Sequence, residues 1–217
     1  QGGLTPMTAT RICMIRHGET AWNAEGRVQG QLDIPLNDVG RAQARATAEA
    51  LAGHDFTAIY CSDLSRVRQT AEPTARKLAL PVSYDAALRE RHYGMFERLT
   101  YVEVKEKFPV EYARFRDKDP DFDFQGGESL RGFNERSLTA VGQVIEKHRG
   151  EQVLVFTHGG VLDMVYRHAR AVGLSSARDF EIPNAGINWL EISEQQWKVM
   201  QWAHVAHLEA ALDDLRE

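Results

Sequence analysis

Short β-branched apolar runs alternate with helix-forming stretches along this chain, and that alternation limits the folds it can adopt. Three runs are typical of buried strands: 11–15 (RICMI), 58–61 (AIYC) and 152–157 (QVLVFT). Segments of helix-forming composition follow them, at 40–51, 62–80, 129–148 and 161–171. Strands that alternate with helices pair in parallel, with helices on both faces. We therefore expect an α/β protein with three α/β/α layers and a mostly parallel central sheet.

The remaining segments complete this expectation. Residues 82–84 predict another strand, 187–192 and 197–202 a closing hairpin, and 208–217 a C-terminal helix. Ser62 and Asp63 are expected to cap the helix that Pro81 ends. Residues 95–127 are charged and aromatic, include a helical pattern at 101–108, and indicate an inserted lid on the surface rather than core. We expect one domain over 8–217, with 1–7 an expression remnant or disordered.

Composition excludes several classes of protein. Hydrophobic residues make up 43% and charged residues 26%, which is not typical of a disordered chain. No apolar run approaches the ~18 residues of a membrane helix, so no membrane partner is expected. A net charge of −5 argues against nucleic acid as a partner. Because the start lacks a signal-peptide pattern and only Cys13 and Cys61 are present, we expect a cytoplasmic protein.

Two of the predicted strands end in the same way, with a histidine followed by glycine. Arg16-His17-Gly18 follows the first strand, and His158-Gly159-Gly160 follows the strand 152–157. Ligands of open parallel sheets bind beyond the carboxyl ends of the strands, so both histidines are candidates for one site. The alternative is that one or both are structural residues that cap the strand ends.

Two arginines fall near the same predicted edge. Arg16 precedes His17, and Arg66 lies one turn into the helix after the second strand. Clustered cations need an anion, and guanidinium groups match phosphate oxygens in a bidentate way. The arginines also favour a neutral, nucleophilic imidazole at His17. The alternative for Arg66 is an exposed residue or a partner of Asp63.

Several motifs in order resemble the histidine phosphatase superfamily, in its phosphoglycerate-mutase-like branch. The matching residues are 16–20 (RHGET) with Trp22-Asn23, 26–30 (GRVQG), 33–37 (DIPLN), Gly40 with Gln43-Ala44, 62–64 (SDL) with Arg66 and 69–71 (QTA), 88–90 (LRE) with Tyr93-Gly94, 157–160 (THGG) and 183–185 (PNA). The resemblance covers the chain from Arg11 to about Leu190. It implies the phosphoglycerate mutase-like fold.

The resemblance also implies roles for single residues. His17 matches the nucleophile that becomes a phosphohistidine, Glu90 matches the general acid, and Arg16, Arg66 and His158 match the phosphate pocket. Further substrate contacts are expected at Thr20, Asn23, Gln29, Gly30, Tyr93 and Gly159. The family uses no metal, and no metal-ligand spacing is present here, so no cofactor is expected. From local sequence alone, Glu90 equally fits a surface ion pair with Arg89 or Arg91.

Three functions fit these residues, and hydrolysis is favoured. The sequence 157–160 (THGG) resembles the phosphatases, whereas 90–94 (ERHYG) resembles the cofactor-dependent phosphoglycerate mutases. A mutase needs extra cations to retain a bisphosphate, and Arg114 and Arg116 are separated by Phe115 within an acidic insert. A binding module would need the cations but neither nucleophile nor acid. We therefore expect a metal-independent phosphatase acting on a small organic phosphate monoester through a phosphohistidine.

Three points stay open from the sequence. The aromatic residues of the insert either line a lid over an organic phosphate or pack the insert onto the body. Arg98 stands where the family often has glycine, so it either alters the backbone beside Glu90, adds a cation to the pocket entrance, or is simply exposed. The expected partner is a small phosphorylated metabolite, and the C-terminal segment leaves a homodimer open.

Overall fold

The computed structural model describes residues 8–209, and its strands form one six-stranded sheet. The strands are β1 (Thr10–Arg16), β2 (Ala58–Cys61), β3 (Val82–Tyr84), β4 (Gln152–Thr157), β5 (Ile187–Ser193) and β6 (Gln196–His204). Their order is β3-β2-β4-β1-β5-β6; the first four are parallel, and β5 and β6 add an antiparallel hairpin. The predicted mixed sheet is confirmed.

Seven α-helices accompany the sheet in the described part of the chain. They are α1 (Ala21–Glu25), α2 (Asp38–Leu51), α3 (Ser65–Leu78), α4 (Tyr101–Lys107), α5 (Pro109–Arg116), α6 (Leu130–Lys147) and α7 (Gly159–Arg170). Within residues 8–209 no helix is both long enough and apolar enough to cross a membrane. The expectations for 1–7 and for 210–217 lie outside the described residues, and at Leu208 the chain forms a 3₁₀ turn.

Side chains alternate across the sheet and build a core on each face. In β1, Ile12 and Met14 pack with the buried faces of α6 and α7, whereas Cys13 and Ile15 pack with those of α2 and α3. This follows from the period of two along a strand, which sends successive side chains to opposite faces. The three-layer prediction is therefore confirmed.

The start of α3 differs from the prediction. Leu64 is the N-cap residue and makes no side-chain cap hydrogen bond, so neither Ser62 nor Asp63 caps this helix. Both side chains are engaged elsewhere: the Ser62 hydroxyl lies 2.8 Å from His158 Nε2, and the Asp63 carboxylate accepts two hydrogen bonds from Arg89. Tertiary partners outcompete the local cap. The helix ends at Leu78, with Ala79 in the left-handed region.

The insert has a core of its own, which corrects the prediction that it lies on the surface outside any core. Val28, Phe96, Val104, Phe122 and Phe124 are buried together. The insert forms α4 and α5, where one helix was predicted. Its sequence misleads because the apolar residues are dispersed among acidic ones and come from turns as well as helices.

Candidate active site

The two strand-end histidines lie side by side. β1 and β4 are neighbouring parallel strands with Arg16 opposite Thr157, so the residues that follow them emerge at the same edge. The His17 and His158 ring centroids are 5.4 Å apart. The alternative is that these histidines are capping residues. His158 does occupy the N-cap position of α7, but its side chain makes no capping hydrogen bond, so the alternative is not supported for His158.

His17 is held with one ring nitrogen engaged and the other available. Its Nδ1 lies 2.7 Å from the Gly18 carbonyl oxygen and donates to it, which leaves Nε2 without its proton. The ring is buried. Burial, and then the charges of Arg66 and Arg16, hold the pKa of His17 well below its usual value. The side chain is therefore a neutral imidazole with a free lone pair on Nε2.

In His158 the other ring nitrogen, Nε2, is the one that has a hydrogen-bond partner. Ser62 Oγ lies 2.8 Å from Nε2 and accepts from the Leu64 N–H, so we assign the hydroxyl as the donor to Nε2 and place the ring proton on Nδ1. Nδ1 is buried and has no hydrogen-bond partner among the described residues. Burial is the main cause that lowers the pKa of His158, with the Arg66 charge second. Ser62, which the sequence suggested only as a helix cap, thus fixes which nitrogen of His158 is a donor.

The two arginines are anchored by backbone carbonyls, and the Nε of each is left without a partner among the described residues. Arg66 donates from Nη1 to Leu32 O at 2.6 Å and from Nη2 to Gly30 O at 2.7 Å, while Arg16 Nη1 donates to Ile182 O at 2.6 Å. The Nε atoms of Arg16 and Arg66 are buried without partners. Burial lowers the pKa of Arg66 to about 10 and also lowers that of Arg16. Arg66 is neither exposed nor paired with Asp63.

Glu90 is positioned by backbone donors. Gly160 N donates to Oε2 at 3.0 Å, and Arg91 N donates to Oε1 at 2.8 Å. The alternative ion pairs do not form: Arg89 binds Asp63, and Arg91 donates to the carbonyls of Glu128 and Phe122. The carboxyl group therefore lies at the N-terminus of α7, beside Gly159 and His158.

Arg16, His17, Arg66 and Glu90 line one cavity of about 610 Å³, large enough for an organic substrate and not only for a phosphate, while His158 is fully buried beside His17 and does not line it. Of the predicted substrate contacts, Asn23, Gln29, Gly30, Tyr93 and Gly159 line it. Thr20 does not, which corrects that prediction. It is fully buried, donates to Gln29 Oε1 at 2.7 Å and caps α1, so it supports two lining residues from behind.

The aromatic residues of the insert divide between the two proposed roles. Tyr93, Tyr101, Tyr112 and Phe115 line the cavity, which fits a lid. Phe96, Phe122 and Phe124 are buried in the core of the insert. Each interpretation is right for part of the set.

Arg98 adopts the backbone conformation that glycine favours, with φ at +76°. Its N–H donates to Val28 O, and its carbonyl accepts from Arg27 Nη1 at 2.7 Å. It does not line the main cavity but a neighbouring one that shares Trp22 and Arg27 with it, so the interpretation as a cation at the entrance stays a prediction. Backbone hydrogen bonds preserve the turn without glycine.

Sequence reasoning missed several charged residues of the cavity wall, namely Lys118, Asp163, Arg167 and Arg178. The acidic composition of the insert concealed the lysine. Three of its aspartates are neutralised by arginines: Asp117 is paired with Arg116, Asp119 with Arg114 and Asp121 with Arg131. Asp163 and Arg167 are spaced four apart in α7, a pattern that usually indicates a surface ion pair. The described residues contain no group of three or more His, Cys, Asp or Glu arranged to hold a metal ion.

Comparison with known proteins gives a consistent result. Residues 12–205 match the histidine phosphatase superfamily (branch 1). A metal-independent phosphoserine phosphatase of Arabidopsis thaliana is 41% identical over 202 residues, covering 92% of this chain and 83% of the relative. A probable phosphoglycerate mutase of Salmonella choleraesuis is 31% identical over 95% of this chain and 99% of its own. A mycobacterial glucosyl-3-phosphoglycerate phosphatase superposes with a TM-score of 0.82 at 28% identity, covering 90% of this chain and 99% of that structure.

Proposed function

We propose how the site works in a chain that belongs to branch 1 of the histidine phosphatase superfamily and is a metal-independent phosphoric monoester hydrolase. His17 is the nucleophile, Glu90 is the general acid and base, and Arg16, Arg66 and His158 hold the phosphoryl group. The observation that carries the proposal is the set of three unpartnered, buried N–H groups: Arg16 Nε, Arg66 Nε and His158 Nδ1. Buried donors without acceptors are costly, and phosphoryl oxygens satisfy all three.

The first step forms a phosphohistidine. His17 Nε2 attacks phosphorus as the bond to the ester oxygen breaks, and the protonated Glu90 carboxyl gives its proton to that oxygen. The leaving group departs as a neutral alcohol. Phosphoryl transfer depends mainly on in-line positioning and on neutralising the equatorial oxygens, which the two guanidinium groups and the His158 N–H provide.

The second step returns the enzyme to its starting state. The Glu90 carboxylate takes a proton from water as the water oxygen bonds to phosphorus and the Nε2–phosphorus bond breaks. Phosphate leaves, and His17 is again neutral. Because burial of the ring, and then the charges of Arg66 and Arg16, hold the pKa of His17 down, the imidazole is a good nucleophile at neutral pH and is not trapped as imidazolium.

The alternative as a phosphoglycerate mutase has less support. The two arginines of the insert that come closest to being adjacent in sequence are Arg114 and Arg116. They form ion pairs with Asp119 and Asp117, respectively, and do not line the cavity. A bisphosphate held near His17 therefore gains nothing from them. If mutase activity is nevertheless the main reaction, 3-phosphoglycerate with 2,3-bisphosphoglycerate yields 2-phosphoglycerate faster than inorganic phosphate.

The direct test of hydrolysis is turnover of a chromogenic aryl phosphate in the presence of a strong chelator. We expect multiple turnovers, with Arg66→Met lowering kcat/KM about 10²- to 10³-fold because one oxygen donor is lost. Arg45→Met, on the exposed face of α2, is the matched control. Absence of turnover by the wild type favours the binding module that needs neither nucleophile nor acid.

The physiological substrate is proposed to be a small phosphorylated metabolite. Phosphoserine and glucosyl-3-phosphoglycerate, for which two relatives are named, are both phosphate monoesters of small carboxylic acids. Cys13 and Cys61 are free and buried, which supports a reducing compartment such as the cytoplasm. The homodimer and the single-domain boundary at 8–217 stay predictions, which sedimentation and limited proteolysis test.

A further inference from the structure

A second group of cations lines the same cavity as His17. Lys118 comes from the insert, Arg167 from α7 and Arg178 from the segment that joins α7 to β5. The charges that act most on Lys118 are those of Asp163, Arg167, Arg178 and Arg91. Arg178 in turn acts on Arg16, so this group adjoins the phosphate pocket. None of the three takes part in the reaction described above.

Arg167 is the most informative member because it is almost completely buried, with 2% of its surface exposed. Its Nε donates to Asp163 Oδ1 at 2.7 Å, and its Nη1 donates to the carbonyls of Gly173 and Ser176. Nη2 is buried and has no partner in the described part of the chain. Because Arg167 also lines the cavity, its unpartnered guanidinium nitrogen indicates an acceptor that a ligand supplies.

Lys118 is held in the cavity wall at a cost. Its backbone lies in the left-handed region, with φ at +53°, a conformation that is unfavourable for a residue with a side chain. Its carbonyl accepts from Ser175 Oγ at 3.0 Å, which ties the insert to the segment after α7. Burial lowers the pKa of the ammonium group. Within residues 8–209 that group makes no hydrogen bond or ion pair, and the opposing charge that acts on it most is that of Asp163.

Arg178 and Asp163 set the charge of this group. Asp163 Oδ2 accepts from Arg178 Nη2 at 2.7 Å while Oδ1 accepts from Arg167. One carboxylate therefore serves two guanidinium groups, and Lys118 adds a third cation. Three cations against one carboxylate leave an excess of positive charge, which suits an anionic group of the ligand such as a carboxylate.

We propose that Lys118, Arg167 and Arg178 form a subsite for the carboxylate group of a phosphorylated acid, so that the substrate is held at two ends, with its phosphate near His17. This inference rests on the proposed function, since it concerns the leaving group of the same reaction. The tyrosines Tyr93 and Tyr101 line the cavity with both groups and cover the substrate between them. The subsite selects among phosphate monoesters and contributes nothing to the attack on phosphorus.

The test compares esters that differ only in the carboxylate: phosphoserine against phosphoethanolamine, and 3-phosphoglycerate against glycerol phosphate. We expect the wild type to prefer at least one acid over its matched analogue. Lys118→Met should lower that preference in kcat/KM by about 10- to 100-fold, the range for a charge-assisted contact. Lys105→Met, at an exposed lysine of α4, should keep the wild-type preference. No preference in the wild type, or an equal loss on acid and analogue in Lys118→Met, overturns the subsite.

A binding measurement separates this result from failure of the proposed function. In a His17→Ala background, calorimetry should show that phosphoserine binds more tightly than phosphoethanolamine and that adding Lys118→Met removes most of the difference. Hydrolysis of an aryl phosphate, which carries no carboxylate, reports the phosphatase reaction alone. Turnover of the aryl phosphate without a carboxylate preference contradicts the subsite only, whereas a carboxylate preference in binding without turnover contradicts the function only.

Discussion

The backbone N–H of Gly160 donates a hydrogen bond of 3.0 Å to Glu90 Oε2, and a β-carbon at Gly160 would overlap the other carboxyl oxygen, Oε1. Glu90, the proposed general acid, therefore occupies space that only glycine leaves at this position. This contact links the first turn of α7, which follows His158, to a residue on a separate loop. It gives a physical reason for the glycine at position 160.

Gly160→Ala should displace the Glu90 carboxyl group and slow the hydrolysis of alkyl phosphates about 10²-fold or more, within the range of general acid catalysis. Steady-state kinetics on an alkyl phosphate measures the effect. Gly142→Ala is the control, because a β-carbon there meets open space in the middle of α6. That variant should keep full activity and gain about 1 kcal/mol in the free energy of unfolding. Equal activity of the two variants contradicts the placement of Glu90.

Glu90→Gln should affect esters according to their leaving groups. An alkoxide needs a proton as it departs, whereas an aryl oxide leaves readily without one. We expect a much larger fall in kcat for alkyl phosphates than for aryl phosphates, measured as a leaving-group series. A uniform fall across the series means that Glu90 acts in some other way than as the acid.

Inorganic phosphate should raise the melting temperature of the protein. The N–H groups of Arg16, Arg66 and His158 gain acceptors, and a ligand at about 100 times its Kd stabilises the native state by about 2.7 kcal/mol. Arg66→Met should lose most of this shift, and Arg45→Met should keep it. The comparison uses the shift within each variant, so a change in basal stability does not matter. A full shift in Arg66→Met excludes that arginine from the phosphate pocket.

The two buried histidines should make the fold sensitive to acid. Their pKa values are lowered in the native state, so below about pH 6.5 the unfolded chain binds protons that the native chain does not. Stability therefore falls as the pH drops through that range and is unaffected by these groups above it. At one pH unit below, each histidine accounts for a loss of about 1 kcal/mol. Denaturant titrations at pH 7.5 and 5.5 should show a smaller drop for His158→Gln than for the wild type, and identical drops contradict this origin.

The parts of the site that follow from local sequence were predictable. An apolar run followed by His-Gly identifies a strand end, and parallel strands bring such ends together, so the meeting of His17 and His158 follows from two short motifs. The direction in which Arg66 points does not follow, since its anchors are the carbonyls of Gly30 and Leu32 on a remote turn. Tertiary contacts decide it.

Other features lay beyond sequence reasoning for the same reason. Ser62 binds His158, but the local sequence pattern fits a helix cap at Ser62 equally well, so the contact with His158 could not be predicted. Thr20 has a hydroxyl group that could contact a phosphate, but this hydroxyl donates to Gln29 instead. Arg167 has the spacing of an exposed ion pair with Asp163, and only the packing of the segment after α7 buries it.

The assignment of His17 as nucleophile is tested most directly by trapping the covalent intermediate. A rapidly quenched reaction with a labelled phosphate monoester, digested under alkaline conditions that preserve phosphohistidine, is analysed by mass spectrometry. The account predicts that the label is on His17 in the wild type and that His17→Ala, although folded, carries none. Label on His158 or on any other residue, or wild-type turnover with no labelled histidine at any quench time, contradicts it.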